Sequence, residues 1–152
     1  QPETRITVVE NVQYYDYGDD FIALAPISGN VTEATLDNRT TEINQYAFYY
    51  CSSLTSITIL EGVTSIGEYT FTGCSSLTSI TIPDSVTSIG ESAFWDCSRL
   101  ATIRINATTP PTLGSSAIIP SNVTNIYVPA GSVNAYKAAS GWSRYASKIS
   151  AI

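Results

Sequence analysis

The sequence contains no histidine, which restricts its chemistry. Histidine is the commonest general base, the commonest metal ligand and the usual base of a nucleophilic triad, so its absence removes the main routes to catalysis at neutral pH. No stretch approaches the roughly 18 apolar residues that a membrane-spanning helix needs. We therefore expect a chain that is not an enzyme, holds no cofactor or metal, and does not insert into a membrane.

Positive charge is scarce as well. Lysine and arginine together number 7 against 13 acidic residues, and the net charge is −6. Because the basic residues form no run, nucleic acid and anionic membranes are poor partners for this chain. The chain starts at Gln1 without an initiator methionine or a signal peptide, so we expect a mature or trimmed start whose signal or anchor has been removed.

Cysteine is rare too, but its spacing is regular. The three cysteines lie 23 residues apart, and three phenylalanines keep the same interval: Cys51, Cys74, Cys97, Phe48, Phe71 and Phe94. Residues 53–75 and 76–98 match at most positions without a gap. A fixed period in this range predicts a solenoid, in which each repeat is one coil that buries its apolar side only against its neighbours.

The repeat continues in weaker form on both sides. Residues 30–52 form a degenerate first copy, and the apolar positions that follow the second clear copy recur once more 23 residues later. Between them, residues 106–120 lose the Phe and Cys, and Pro110 and Pro111 there force extended backbone. The prediction is a mainly β solenoid of about four 23-residue coils over residues 30–129, with a parallel sheet.

Each coil is expected to contain two short strands. Residues 54–59 end in strict alternation of apolar and polar side chains, which is typical of a strand with one buried face. Residues 63–66 predict a second extended piece. Gly67 and Gly90 follow it, with Asn44 at the equivalent position of the first copy, so we expect positive φ angles at this corner.

The segments outside the repeats are expected to cover the two ends of the solenoid, because uncovered ends would pair with other chains. In the N-terminal cap, residues 1–29, the pattern of residues 12–25 predicts a β-hairpin with its turn near Gly18. In the C-terminal cap, residues 130–152, Ser132 is a candidate N-cap of a helix that Gly141 closes. Three large side chains follow at helix-like spacing: Trp142, Tyr145 and Ile149. The whole chain, residues 1–152, is then a single solenoid domain.

The sequence of residues 77–97 has the form Leu-x-x-Ile-x-Ile-Pro-x-x-Val-x-x-Ile-Gly-x-x-Ala-Phe-x-x-Cys. It resembles the repeat of the BspA-type leucine-rich repeat family, and residues 127–139 resemble the segment that ends such arrays. The resemblance covers roughly residues 30–140. It implies a leucine-rich-repeat-like solenoid and a secreted or cell-surface protein, mostly of bacteria, used in adhesion or in contact with a host or partner. It implies no catalytic residues.

Three groups of side chains have alternative interpretations. The cysteines share one repeat position, so we interpret them as a buried ladder of free thiols rather than as a disulfide or a zinc site. Asp16, Asp19 and Asp20 form a calcium site or, as we favour, a solvated turn. Four Asn-x-Thr sequons are accidental in a bacterial product and candidates for glycosylation in a eukaryotic secretory one; they begin at Asn30, Asn38, Asn106 and Asn122.

The outward side chains of the first strand of each coil are the candidate site. The expected rows on the solvent face of a continuous parallel sheet contain Ser56, Ser79 and Thr102 together with the candidate partner-binding residues Glu33, Thr35, Thr58, Thr81, Arg104, Asn125 and Tyr127. Arg104, Tyr127 and Trp95 distinguish the C-terminal half of this face from the Ser and Thr of the middle coils. Tyr and Arg are the usual anchors of protein interfaces. The alternative is a sheet face that contacts only solvent and binds no partner.

Two functions from different classes remain after these exclusions. One is a non-catalytic interaction or adhesion module, a monomer at the cell surface or secreted, that binds a protein or glycan of a host or neighbouring cell through the sheet face. The other is a structural spacer or accessory domain of a larger surface protein, with no ligand of its own.

Overall fold

The computed structural model describes residues 5–114 and 119–152. The first three strands are antiparallel: β1 (Arg5–Val9), β2 (Val12–Asp16) and β3 (Phe21–Pro26). Strands β2 and β3 form the hairpin that the pattern of residues 12–25 predicts, and the chain reverses around Gly18, whose φ is +85°. Strand β1 is an addition that the sequence analysis did not predict.

The remaining strands are short, and in chain order they are β4 (Glu33–Thr35), β5 (Glu42–Ile43), β6 (Ser56–Thr58), β7 (Ser65–Ile66), β8 (Ser79–Ile82), β9 (Ser88–Ile89), β10 (Thr102–Ile105), β11 (Thr112–Leu113), β12 (Asn125–Val128) and β13 (Ile149–Ala151). One side of the molecule is a seven-stranded sheet with the order β1-β2-β3-β5-β7-β9-β11, parallel from β3 onward. Another side consists of a four-stranded parallel sheet, β13-β12-β10-β8, and a separate pair, β4-β6. Each regular coil therefore contributes one strand to each side, as predicted.

The strand register reproduces the 23-residue period. Ser65 pairs with Ser88, and Arg104 pairs with Tyr127. The exception is β11, where Thr112 also pairs with Ser88, 24 positions before it. The extra residue falls in the proline-containing stretch that departs from the repeat. The sequence therefore predicts the register of the regular coils, and the structure adds a one-residue shift in the irregular coil.

The core is made of columns of equivalent side chains. Phe48, Phe71 and Phe94 are fully buried, and their rings stack at centroid distances of 5.8 and 5.7 Å. Ile80 is also buried, with 3% of its surface exposed. These columns merge the coils into one continuous apolar core, which no single coil could form alone. Such columns are what the 23-residue spacing of the apolar residues predicts.

The expected positive φ angles at Gly67 and Gly90 are wrong. The left-handed residues at this corner lie two positions later, at Tyr46, Tyr69 and Ser92, with φ of 59°, 55° and 52°. The glycines are needed for close approach between coils instead. A Cβ atom on Gly67 would lie 2.5 Å from the backbone nitrogen of Gln45 in the preceding coil, and one on Gly90 would meet Glu68 in the same way.

The expected continuous sheet is also wrong, because strands β6 and β8 are not hydrogen-bonded to each other although both are described. The residue after β10, Asn106, donates its N–H to the carbonyl of Ile82 in the preceding coil at 2.9 Å. Pro83 occupies the equivalent position after β8 and has no N–H to donate to Ile59. Pro129 follows β12 in the same way, yet β12 pairs with β10, so the missing N–H does not by itself explain the interruption. A shallow groove of about 280 Å³ marks the interruption.

The C-terminal segment differs from the predicted helix. It contains a 3-10 helix (Ala130–Ser132), α1 (Val133–Ala138), a second 3-10 helix (Ser143–Lys148) and then β13. Ser132 does not cap α1: its side chain is buried, and its hydroxyl donates to the carbonyl of Thr108 at 2.7 Å. Ile149 begins β13 rather than continuing a helix, because the free edge of β12 offers backbone groups that a strand can pair.

Two buried aromatic residues attach this segment to the irregular coil. The hydroxyl of Tyr136 donates to the carbonyl of Ala107 at 2.6 Å, and Nε1 of Trp142 donates to the carbonyl of Pro111 at 2.8 Å. The two rings meet edge to face at 5.3 Å. These two carbonyl groups of the irregular coil thus receive hydrogen bonds from side chains rather than from a neighbouring strand. No helix in the described part of the chain has the length and apolar character needed to cross a membrane.

Candidate functional site

The C-terminal half of the predicted site lies on one sheet. Arg104 on β10 is flanked by Thr81 on β8 and by Tyr127 on β12, since these residues pair in register. Arg104 is exposed, and its Nε donates weakly to Oδ1 of Asn106 at 3.4 Å. Tyr127 is half-buried. The structure therefore places a guanidinium and a phenol on adjacent strands, on the outward face of the four-stranded sheet.

Asn125 belongs to the neighbouring row of the same sheet. It pairs in register with Thr102, and its Oδ1 accepts a hydrogen bond of 2.9 Å from the hydroxyl of Thr124. The side chain is half-buried, and its amide nitrogen is the part that remains for a partner. Asn125 thus extends the polar face beside Arg104 toward the start of the strands.

The N-terminal half of the predicted site is separate. Glu33, Thr35 and Thr58 are exposed on the β4-β6 pair, where Thr35 is in register with Thr58. The side-chain amide of Asn11 donates to the backbone carbonyl of Glu33 at 2.7 Å, so the N-terminal strands reach this edge. Because β6 and β8 are not paired, these three residues do not share one sheet with Arg104.

Trp95 is not part of the sheet face. It lies in the turn between β9 and β10 and is 54% exposed. It lines a cleft of about 590 Å³ together with Asn122, Arg144 and Lys148 near the C-terminal segment. The alternation of strand residues could not place a turn residue, so its assignment to the sheet face is corrected.

The cysteines form the buried ladder that their spacing predicts, and all three are free thiols. The thiol of Cys74 donates to the carbonyl of Phe48 at 3.2 Å, and the thiol of Cys97 donates to the carbonyl of Phe71 at 3.0 Å. Burial raises the pKa of all three thiols, that of Cys97 to about 12. They therefore stay protonated at neutral pH and serve as small core side chains.

We expect native protein at about pH 8 to react slowly with a thiol-labelling reagent, because the buried thiols cannot supply the thiolate that attacks. In denaturant, without reductant, the reagent should add to Cys51, Cys74 and Cys97 in full. Intact-mass spectrometry over time measures both rates. Fast labelling of the native protein, or a mass deficit from a disulfide, would contradict the ladder.

The acidic turn between β2 and β3 has a local role. Oδ1 of Asp16 accepts a hydrogen bond of 2.9 Å from the backbone N–H of Gly18, which stabilises the reversal. Across residues 5–114 and 119–152, no three His, Cys, Asp or Glu side chains lie close enough together to hold a metal ion. The arrangement of Asp16 is that of a solvated turn.

A group of aromatic side chains on the outer turns was missed by the sequence analysis. Four tyrosines contact one another there and are called the tyrosine patch: Tyr46, Tyr49, Tyr50 and Tyr69. Three of them are 45–48% exposed. The signal was present in the sequence, because the clear repeats have smaller residues at most of these positions.

Comparison with known proteins gives consistent matches. A family model described as the BspA type leucine rich repeat region matches residues 27–139 in six copies. A leucine-rich repeat protein from Eubacterium ventriosum aligns with a TM-score of 0.64 and 34% identity, covering 80% of this chain and 33% of that protein. A leucine rich cell surface protein from Faecalibacterium prausnitzii aligns with a TM-score of 0.51 and 22% identity, covering 84% and 46%. The chain therefore spans less than half of either protein. No curated protein matches it.

Proposed function

Because the chain belongs to the BspA-type leucine-rich repeat family, we propose that it is a non-catalytic interaction module exposed at a bacterial cell surface or secreted. The cell-surface origin of the Faecalibacterium prausnitzii protein supports this location. The proposed partner is a protein or glycan of a host or neighbouring cell. The chain acts as a monomer, and it uses a surface rather than a pocket.

The observation that carries the proposal is the adjacency of Arg104 and Tyr127 on the four-stranded sheet. The middle coils present Ser and Thr, which are small and well solvated and gain little when water is removed. A guanidinium and a phenol supply a larger buried area and directed hydrogen-bond donors. Thr81 and Asn125 border this pair. Glu33, Thr35 and Thr58 form an outlying part of the surface, across the interruption between β6 and β8.

The test begins with arrays of glycans and matrix proteins, on which the intact chain should find a ligand. The double variant R104A/Y127A should then weaken binding by roughly 2–4 kcal/mol, as the truncation of interface anchors does. Surface plasmon resonance gives the dissociation constants, and circular dichroism checks that the fold is kept.

The matched control is T35A/T58A, which removes two outward side chains of the same strand position from the β4-β6 pair. Because these two small side chains belong to the outlying part of the proposed surface, their removal should weaken binding far less than R104A/Y127A does. Loss of binding in this control alone, with R104A/Y127A unaffected, would move the contact away from the four-stranded sheet. The net charge of −6 favours a neutral or basic partner, so added salt should weaken association if charge steers it.

A spacer function is the second candidate. It is favoured by the length of the similar proteins, of which this chain spans 33% and 46%. An array of this kind inside a longer surface protein would hold other parts at a distance without a ligand of its own. Failure of every glycan and matrix-protein array would make the spacer the better proposal.

We also propose that the chain is one domain whose two ends are covered. About four coils over residues 30–129 would lie between an N-terminal cap, residues 1–29, and a C-terminal cap, residues 130–152. The pairing of β3 with β5 and of β13 with β12 supports this arrangement. Removing residues 130–152 should then cause aggregation, measured by light scattering, because the edge of β12 would be exposed.

A further inference from the structure

The tyrosine patch is a preformed surface. The rings of Tyr46 and Tyr69, from adjacent coils, lie parallel within 3° with centroids 5.1 Å apart. Tyr49 meets Tyr46 edge to face at 5.0 Å and Tyr50 at 4.6 Å. The rings hold one another in place, so little side-chain freedom remains to be lost when a partner binds.

The backbone beneath the patch is unfavourable for tyrosine. Tyr46, Tyr50 and Tyr69 have φ of 59°, 54° and 55°, the left-handed region that bulky side chains rarely adopt. The position of Tyr50 is occupied by Gly73 and Asp96 in the next two coils, and these residues adopt positive φ more readily. The next two coils therefore form the same turn without tyrosine at this position, and the rings of the patch are not required for the turn itself.

The core does not need these rings. Phe48 and Phe71 lie under the same turns and are completely buried. The tyrosine rings lie outside them, and the ring of Tyr50 covers Gly73, where a Cβ atom would collide with it. The patch therefore presents π faces and phenol groups to solvent on top of a core that is already closed.

The outer turns that carry the patch contain charge of one sign. The outer turns of the three regular coils, residues 41–52, 64–75 and 87–98, contain no lysine or arginine. They contain four carboxylates: Glu42, Glu68, Glu91 and Asp96. The backbone N–H of Tyr46 donates to the carbonyl of Glu68 at 2.9 Å, so an acidic residue lies directly beside the patch in the next coil.

We propose that the tyrosine patch binds a segment of a partner polypeptide rich in arginine or lysine. Cationic groups are attracted to the faces of tyrosine rings, and the neighbouring carboxylates add to that attraction. Acidic peptides and acidic glycans would be repelled by the same carboxylates. This surface is on the outer turns, away from Arg104 and Tyr127, so the inference does not depend on the sheet-face site.

The test uses fluorescence anisotropy with a labelled short peptide of alternating arginine and glycine. The comparison probes are the glutamate–glycine peptide and a neutral cello-oligosaccharide, the latter followed by calorimetry. The intact chain should bind the arginine peptide and neither comparison probe. Binding of the neutral sugar in place of the arginine peptide, or equal binding of both peptides, would overturn the proposal.

The chain provides its own variant for this test. Y46S/Y49T/Y50G introduces the residues found at the equivalent positions Ser92, Thr72 and Gly73, and it leaves every carboxylate in place. Affinity for the arginine peptide should fall about tenfold or more, since the lost attraction is that of several rings for cations. Circular dichroism should show that the fold is kept, because Phe48 and Phe71 beneath the patch are untouched, although the melting temperature should fall since each lost ring buries about half of its surface.

The control variant R104A/Y127A should keep the affinity for the arginine peptide. Unchanged affinity in Y46S/Y49T/Y50G would show that the carboxylates alone attract the peptide, and would overturn the role of the tyrosines. Loss of affinity in R104A/Y127A alone would assign the peptide to the sheet face instead. These outcomes distinguish a failure of the tyrosine patch from a failure of the sheet-face proposal.

Discussion

Replacement of Phe71 by alanine should lower the free energy of unfolding by about 3–5 kcal/mol. Phe71 is completely buried, and its ring is stacked between those of Phe48 and Phe94 at 5.8 and 5.7 Å. The coils above and below are held by strand pairing, so they cannot collapse into the space that the ring leaves. Chemical denaturation followed by circular dichroism measures the loss.

The matched control for this prediction is Trp95→Ala, which removes a larger ring that is 54% exposed. It should change stability less than Phe71→Ala, because more than half of Trp95 already contacts water and its removal leaves no closed cavity. An unfolding midpoint that Phe71→Ala leaves unchanged would mean that the phenylalanine column does not form the centre of the core.

Replacement of Gly90 by alanine should cost about 2–3 kcal/mol of stability, although only one methyl group is added. The new Cβ atom would lie 2.5 Å from the backbone nitrogen of Glu68 and 2.6 Å from the carbonyl carbon of Gly67. Both atoms belong to backbone that strand pairing holds in place, so the two coils must move apart. The same denaturation experiment gives the size of the effect.

Gly29→Ala is the control, because a Cβ atom at that position would have no neighbour within 4 Å. It should be neutral or slightly stabilising, since alanine reduces the freedom of the unfolded chain. Equal effects of the two substitutions would show that the coils do not approach each other as closely at Gly90 as the structure indicates.

The candidate site divides into a part that the sequence could locate and a part that it could not. Alternation along the strands places Arg104 and Tyr127 outward, and the 23-residue period places them side by side, as the register confirms. The period cannot detect that β6 and β8 are not hydrogen-bonded to each other, because their repeat positions are the same as those of β8 and β10, which do pair. The prediction from the period therefore extended the sheet face too far toward Glu33. The repeat pattern could not locate the tyrosine patch, because the pattern is defined by residues that the coils share, whereas Tyr49 and Tyr50 have no tyrosine at the equivalent positions of the next two coils.

The 23-residue period alone was enough to predict the solenoid, the register of the regular coils and the core. Stacked coils bury a 23-residue period of apolar residues by placing equivalent side chains in columns, so Phe71 and Cys74 could be assigned to the interior from their spacing. Three features could be seen only in the tertiary structure: the close backbone approach at Gly90, the course of the C-terminal segment and the separation of β6 from β8. Each depends on how closely two backbones approach or on which carbonyl groups remain unpaired, and both quantities arise only when the coils are packed together.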